Sequence, residues 1–278
     1  MSDVKDIDWQ DLEFTCVHEK NLLPKPDPEA EQWYQEANRL HKTHPAGNDT
    51  FEKQILKLML QAAERNHAKA LNNLVVMYSQ ADGVDADEAK AVDYAERLIK
   101  MNVGMGYYHM GVFLEQGIGV KPDRKAALTY FRKSADLGNA QGQMVVGDKI
   151  IGEFLMTPMR DKAVPIGLKM LECSLAQGHA PAGEKLGWHY AVTGPNEEPT
   201  IEKALTYFQK AGALGHSESL YWLYSTFERG EFGLQKDPQR AACYKALEEE
   251  ANADKTKRFP NIDKLCPLPP KPMPKRSS

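Results

Sequence analysis

Two segments of this chain are near copies of each other. Ala127-Leu-Thr-Tyr-Phe-Arg-Lys-Ser-Ala-Asp-Leu-Gly138 returns as Ala204-Leu-Thr-Tyr-Phe-Gln-Lys-Ala-Gly-Ala-Leu-Gly215, with eight of twelve positions identical. A repeat of this length means that one supersecondary unit is used several times. A single such unit cannot bury its own apolar face, so neighbours must stack. Counting from Gly138 and Gly215 places further unit boundaries at Asn66, Asn102 and Gly178, with spacings of 36, 36, 40 and 37 residues. Gly and Asn are the residues that tolerate the left-handed backbone at a helix end.

Each unit reads as two helices. After a boundary, apolar or small residues recur at helical spacing: Ala70, Leu74, Tyr78; Gly106, Met110, Leu114; Ala182, Leu186, Tyr190; Ser219, Leu223, Phe227. They form one face of a first helix. A turn follows, clearest at Gly117-Ile-Gly119-Val-Lys-Pro122. A capped second helix then begins at Asp123, or at Asp237-Pro238, where cap and first-turn proline fall in their favoured places. Ala127, Tyr130, Phe131 and Ser134 lie on its buried side. One more hairpin precedes Asn66, opened by Asp27-Pro28. The expectation is an all-α fold, a right-handed α-solenoid of about six helical hairpins over residues 27–252. Residues 1–26 hold no strong helix. Residues 253–278 carry six prolines and seven Lys or Arg and read as a polyproline-like tail. The segment Glu153-Phe-Leu-Met-Thr-Pro-Met159 stretches its unit, and the hairpin is expected to loosen there.

Composition narrows the function. The chain is 42% hydrophobic and 27% charged, as a folded globular protein is, and no run approaches 18 apolar residues. With 35 basic against 39 acidic residues, it lacks the basic excess of a general nucleic-acid binder. The opening residues have no apolar stretch like that of an export signal, so the cytoplasm is the expected compartment. Four cysteines are few for a disulfide scaffold. Cys173 and Cys243 sit in apolar helical stretches, where a small buried hydrophobe is expected.

The units Leu137-Gly-Asn-Ala-Gln…Gly147 and Gln177-Gly-His-Ala-Pro-Ala…Leu186-Gly187-x-x-Tyr190 resemble the Sel-one-like repeat, a relative of the tetratricopeptide repeat. So does Gly117-x-Gly119-Val120-x-x-Asp123-x-Lys125-Ala126. The resemblance covers about residues 30–252, with Asn66 and Asn102 in place of the usual boundary Gly. Phe14-Thr-Cys16-Val-His18-Glu19, with Leu23-Pro24 and Asp27-Pro28, is similar to a leader module that precedes these repeats in some proteobacterial proteins. Members of that group are often sited beside secreted antibacterial toxins. The resemblance implies a protein-binding solenoid and no cofactor.

The chemical candidates are few. His67, His179 and His216 follow a boundary directly, at the repeat's usual His position, and read as structural. Cys16-x-His18-Glu19 could be half of a zinc site, but only one ligand pair is present where zinc needs four ligands, so a packed N-terminal segment is the plainer reading. Gly117-x-Gly119 lacks the strand and the Lys-Ser/Thr of a phosphate loop. There is no Gly-x-Ser-x-Gly and no His-Glu-x-x-His. No metal ligand set or catalytic group is expected.

The surface remains. By analogy with tetratricopeptide units, the third, sixth and tenth positions after a boundary face the concave side. These positions and their neighbours supply the candidate partner-binding residues Tyr108, His109, Met144, Asp148, Glu184, Trp188, Tyr221 and Trp222. Trp, Tyr and Met are enriched in binding cores, although single members of such a row also pack against adjacent helices. The expected function is that of a bacterial immunity protein, which binds one secreted toxin (a type VI secretion effector) and occludes it. A cytoplasmic location would suit a toxin acting on nucleic acid or a nucleotide cofactor. The alternatives are an adaptor with several protein partners and, more distantly, a hydrolase. The sequence does not fix the oligomeric state.

Overall fold

The computed structural model describes residues 12–43, 49–192 and 198–270, and contains thirteen helices and no strand among them. They are α1 (Pro28–Thr43), α2 (Asp49–Glu64), α3 (Ala68–Gln80), α4 (Glu88–Lys100), α5 (Gly104–Gln116), α6 (Arg124–Asp136), α7 (Ala140–Phe154), α8 (Arg160–Ala176), α9 (Ala180–Val192), α10 (Glu198–Ala213), α11 (Ser217–Arg229), α12 (Pro238–Ala253) and the single turn α13 (Ile262–Leu265). Consecutive pairs make six hairpins from Pro28 to Ala253, and the fold is an all-α solenoid. The chain divides into two compact units, Met1–Val146 and Gly147–Ser278.

All five boundaries carry the left-handed backbone: φ is +55° at Asn66 and Asn102, and +84°, +90° and +80° at Gly138, Gly178 and Gly215. At three of them the residue after the boundary caps the next helix. His67 Nδ1 accepts from the Ala70 N–H at 3.1 Å, Asn139 Oδ1 from Gly142 at 2.9 Å and His216 Nδ1 from Ser219 at 3.3 Å. This is the structural role of His67 and His216: a lone pair for an otherwise orphaned helix donor. The second helices start on aspartates. Asp87, Asp123 and Asp237 accept from the backbone N–H of Lys90, Ala126 and Arg240 at about 3 Å.

Within a hairpin the helices close on small residues. A Cβ added to Gly111 would lie 2.7 Å from the Phe131 ring, and one on Gly187 2.5 Å from Phe208. Both rings are fully buried, and truncating either to Ala would cost about 3–5 kcal/mol. The stretched hairpin α7/α8 departs from this. Leu171 stands where Phe131 and Phe208 stand in their units. Without the ring the helices approach until a Cβ on Gly147 would meet the Gly167 carbonyl at 2.7 Å. The expected loosening is confined to the tip, where α8 starts at Met159 with no side-chain cap. The stem is tight.

Both termini fold back as straps. In the first unit, residues 12–23 bury Leu12 and Phe14. Their backbone is fixed by Arg132 donating to Glu13 O at 2.6 Å, Gln143 to Val17 O at 2.9 Å and the Glu19 N–H to Gly138 O at 3.0 Å. Val103 occupies the capping position of α5 but has no side-chain acceptor. Glu19 supplies it from 86 residues away: its carboxylate accepts from the Met105 N–H at 2.6 Å and from Asn139 Nδ2 at 2.8 Å. Glu19 is committed to these bonds, and the metal half-site weighed for it gives way to a helix cap. In the second unit, residues 254–268, expected as the start of a tail, lie on the core instead. Phe259, Ile262 and Cys266 are buried, and the Phe259 N–H donates to Ala213 O at 2.8 Å. Cys243 is not a free buried thiol: it forms a disulfide with Cys266. Cys173 is not one either, since it and Cys16 are disulfide-bonded, and no cysteine among the described residues is free. The final stretch of the tail, residues 271–278, lies outside the described residues.

Candidate protein-binding groove

Tyr108, His109 and Met144 fall in the first unit, and the other five candidates in the second. The first group is largely engaged within the fold. The Tyr108 ring packs 5.8 Å from Phe131, and burial raises its phenol pKa. His109 Nε2 lies 2.7 Å from Asn72 Oδ1 on α3 and its ring stacks 6.2 Å from Phe113. Burial pushes its pKa down to about 4, so the ring is neutral at pH 7 and serves packing rather than presenting a charge to a partner. Met144 is half-buried on α7.

The second unit gathers four candidates into one cluster. The Trp188 and Trp222 rings meet edge to face at 4.6 Å, and Trp188 also sits 5.7 Å from Phe208. Tyr221 lies 5.3 Å from Trp222 and 6.1 Å from Tyr224. Edge-to-face pairs of this kind fix ring orientation and add to the burial of the rings. Trp222 Nε1 donates to Glu184 Oε1 at 3.3 Å. Asp148 stands apart from the rings, paired with Lys185 at 2.9 Å. Tyr221 is 39% exposed, one of few large apolar side chains so open.

Tyr221 and Trp222 border a groove of about 570 Å³, lined by Glu184, Ser217, Glu218, Glu248, Asn252 and Lys255 as well. Three carboxylates face one ammonium there, and Lys255 is turned onto Asn252 Oδ1 at 3.0 Å. The groove is an acidic strip beside exposed aromatic edge. Sequence reasoning missed Glu218 and Glu248. Glu218 is the third residue after Gly215, a position already assigned to the concave side, and was legible. Glu248 belongs to a second helix, which a rule built on first helices does not reach.

Glu184, His216 and Glu218 bring three potential ligand atoms within 4.8 Å of one another. His216 is used in capping α11: its Nδ1 lies 2.9 Å from Ser219 Oγ and 3.3 Å from the Ser219 N–H. Its Nε2 stands 4.0 Å from Glu184 and 3.8 Å from Glu218, beyond hydrogen-bond distance of either.

The Sel1 repeat model matches residues 68–103, 104–139 and 186–216, the spans that begin at or within α3, α5 and α9. Solved structures extend the match to nearly the whole chain. The immunity protein PA5088 from Pseudomonas aeruginosa is 30% identical, with a TM-score of 0.75 over 93% of this chain and 95% of that one. The chain belongs to the Sel1 repeat family. The immunity protein PA5087 of the same organism is 31% identical, with a TM-score of 0.70 over 94% of this chain and 96% of its own. A Sel1 repeat protein from Oxalobacter formigenes, 22% identical with a TM-score of 0.62 over 80% of this chain and 88% of that one, shares the fold. No curated protein matches the sequence. Membership makes this a protein-interaction solenoid. Among the described residues no helix is long and apolar enough to cross a membrane.

Proposed function

We propose that this chain is an immunity protein: it binds one secreted antibacterial toxin, a type VI secretion effector, and blocks it sterically. The observation that carries this reading is the identity of 30–31% over more than nine-tenths of the chain with two immunity proteins. The second unit's groove is the docking site. Its acidic strip and aromatic edge suit a cationic loop of the toxin, with an Arg or Lys stacked on Tyr221 and paired with Glu218 or Glu248. No step of this function requires a catalytic group.

The test is capture of the tagged protein from its own host, followed by expression of the captured partner alone and with this chain. A single partner that kills alone and is silenced by co-expression supports the reading. The variant Tyr221→Ala/Glu218→Arg changes two exposed side chains (Glu218 is 72% exposed). It should weaken binding by at least about 30-fold, the loss of one hot spot of ~2 kcal/mol, with unchanged helical circular dichroism. Trp188 is less suited to the test because it packs on Phe208. A spread of non-toxic partners would favour an adaptor, and full protection by the double variant would remove the groove assignment.

A further inference from the structure

The disulfide of the second unit joins Cys243 on α12 to Cys266, 23 residues on, with Cα atoms 5.9 Å apart. Cys266 is fully buried. Its carbonyl accepts from Tyr244 Oη at 2.5 Å and from Gln209 Nε2 at 2.9 Å, and Arg240 Nε donates to Pro267 O at 2.9 Å. A bond set in this way is not an exchange site. Exchange needs an accessible sulfur and an attacking thiolate nearby. The Cys266 sulfur belongs to a fully buried residue, Cys243 is half-exposed, and no described cysteine is free to attack. The spacing is also far from the Cys-x-x-Cys of a redox catalyst. What remains is a structural cross-link that fastens the C-terminal strap to α12.

Structural disulfides persist where thiols are not held reduced, and in the cytosol of most organisms they are held reduced. We infer that this protein works, disulfide-bonded, in an oxidising compartment outside the cytoplasm, and that the toxin it blocks acts there. The second half of this statement rests on the immunity reading. The compartment differs from the one the opening residues suggested. It moves the toxin's target from nucleic acid and nucleotide cofactors to the cell envelope, its wall or its lipids. Closing the bond removes two protons and two electrons from the Cys243 and Cys266 thiols. They pass to a disulfide-bearing oxidant of that compartment, which leaves as a dithiol.

The experiment uses the full chain in its own host. Growing cells are quenched in acid, and the denatured protein is treated with a maleimide-polyethylene glycol before and after reduction. A parallel culture is fractionated against cytoplasmic and extracytoplasmic markers. We expect no adduct before reduction, four after it, one for each cysteine, and recovery with the extracytoplasmic marker. Adducts without reduction, or recovery with the cytoplasmic marker, would overturn the inference. Neither result depends on finding a toxin. Failure to find one would sink the immunity reading and leave the thiol result standing.

Discussion

The two straps do the same job by different means. Each lies across a boundary between hairpins. A Cβ on Gly138 would meet the Glu19 nitrogen at 2.7 Å, and one on Gly215 would strike the Lys257 carbonyl. The N-terminal strap is held in the first unit by the burial of Leu12 and Phe14 and by polar contacts, with a buried carboxylate completing two donors that α5 and Asn139 leave open, and its Cys16 is disulfide-bonded as well. The C-terminal strap is held in the second unit by apolar burial at Phe259 and Ile262 and closed by a covalent bond. The C-terminal strap covers the last hairpin, where a solenoid exposes an apolar flank, whereas the N-terminal strap lies on α5, α6 and the start of α7, inside the array. The carboxylate contacts of the first strap depend on desolvation and pH, a dependence that the apolar burial of the second does not share, while the disulfides of both depend on the redox state of the surroundings.

Breaking the covalent clasp should have the largest effect. Removing a cross-link that spans 23 residues releases about 3 kcal/mol of chain entropy to the unfolded state. The variant Cys243→Ala/Cys266→Ala should therefore melt several degrees below the wild type. Thermal unfolding followed by circular dichroism measures this. An unchanged midpoint would mean that Phe259 and Ile262 hold the strap without help from the cross-link.

The repeats were legible in the sequence and the straps were not, for a physical reason. Asn66, Asn102, Gly138, Gly178 and Gly215 announce themselves because a left-handed helix end admits few residue types, and the same need recurs every 36 to 40 residues. Asp123 and Asp237 were legible as caps because a cap acts on its own next turn. Glu19 acts on Met105 and Asn139, and Cys266 on Cys243 and Gln209. Contacts over such separations leave no periodic trace. The prolines at 267, 269 and 270 suggested a free tail, although the burial is done just before them, by Phe259, Ile262 and Cys266. In the groove, Trp188 and Tyr221 were found by counting along first helices. His109 was assigned to the surface by the same count, but its neighbour Asn72 takes it into the fold.

A paired substitution isolates the contact between strap and boundary. Gly138 and Gly178 both sit at positive φ, so Ala at either carries the left-handed penalty of about 1–2 kcal/mol. At Gly178 the new Cβ meets no described atom within 4 Å, whereas at Gly138 it strikes the backbone of residues 17–19. Gly138→Ala should be the more destabilising, by a further ~1–2 kcal/mol, about the value of the displaced Glu19 hydrogen bonds. Chemical denaturation of the two variants gives the difference directly. Equal losses would show that the strap yields without cost and that Gly138 is kept for its backbone alone.

The smallest effect, and the most diagnostic, belongs to Glu19→Gln. A carboxylate can accept from both Met105 N–H and Asn139 Nδ2. A glutamine offers one oxygen and turns an N–H toward the other donor, so one bond is lost at about 1 kcal/mol. Burial raises the Glu19 pKa, and the bonds from Asn139 and Met105 offset part of that rise. The sign follows from the raised value. An acid with a higher pKa folded than unfolded contributes fully below its unfolded pKa, about 4.3 for Glu, and loses that contribution as pH rises through the folded value. The lead of the wild type over Glu19→Gln, read as the difference in melting midpoint, should therefore be widest below about pH 4.3 and narrow toward neutrality. If the lead widened with pH instead, the two hydrogen bonds would outweigh desolvation. The carboxylate contacts of the N-terminal strap would then be tightest when charged, a pH dependence that the apolar burial of the C-terminal strap at Phe259 and Ile262 does not share.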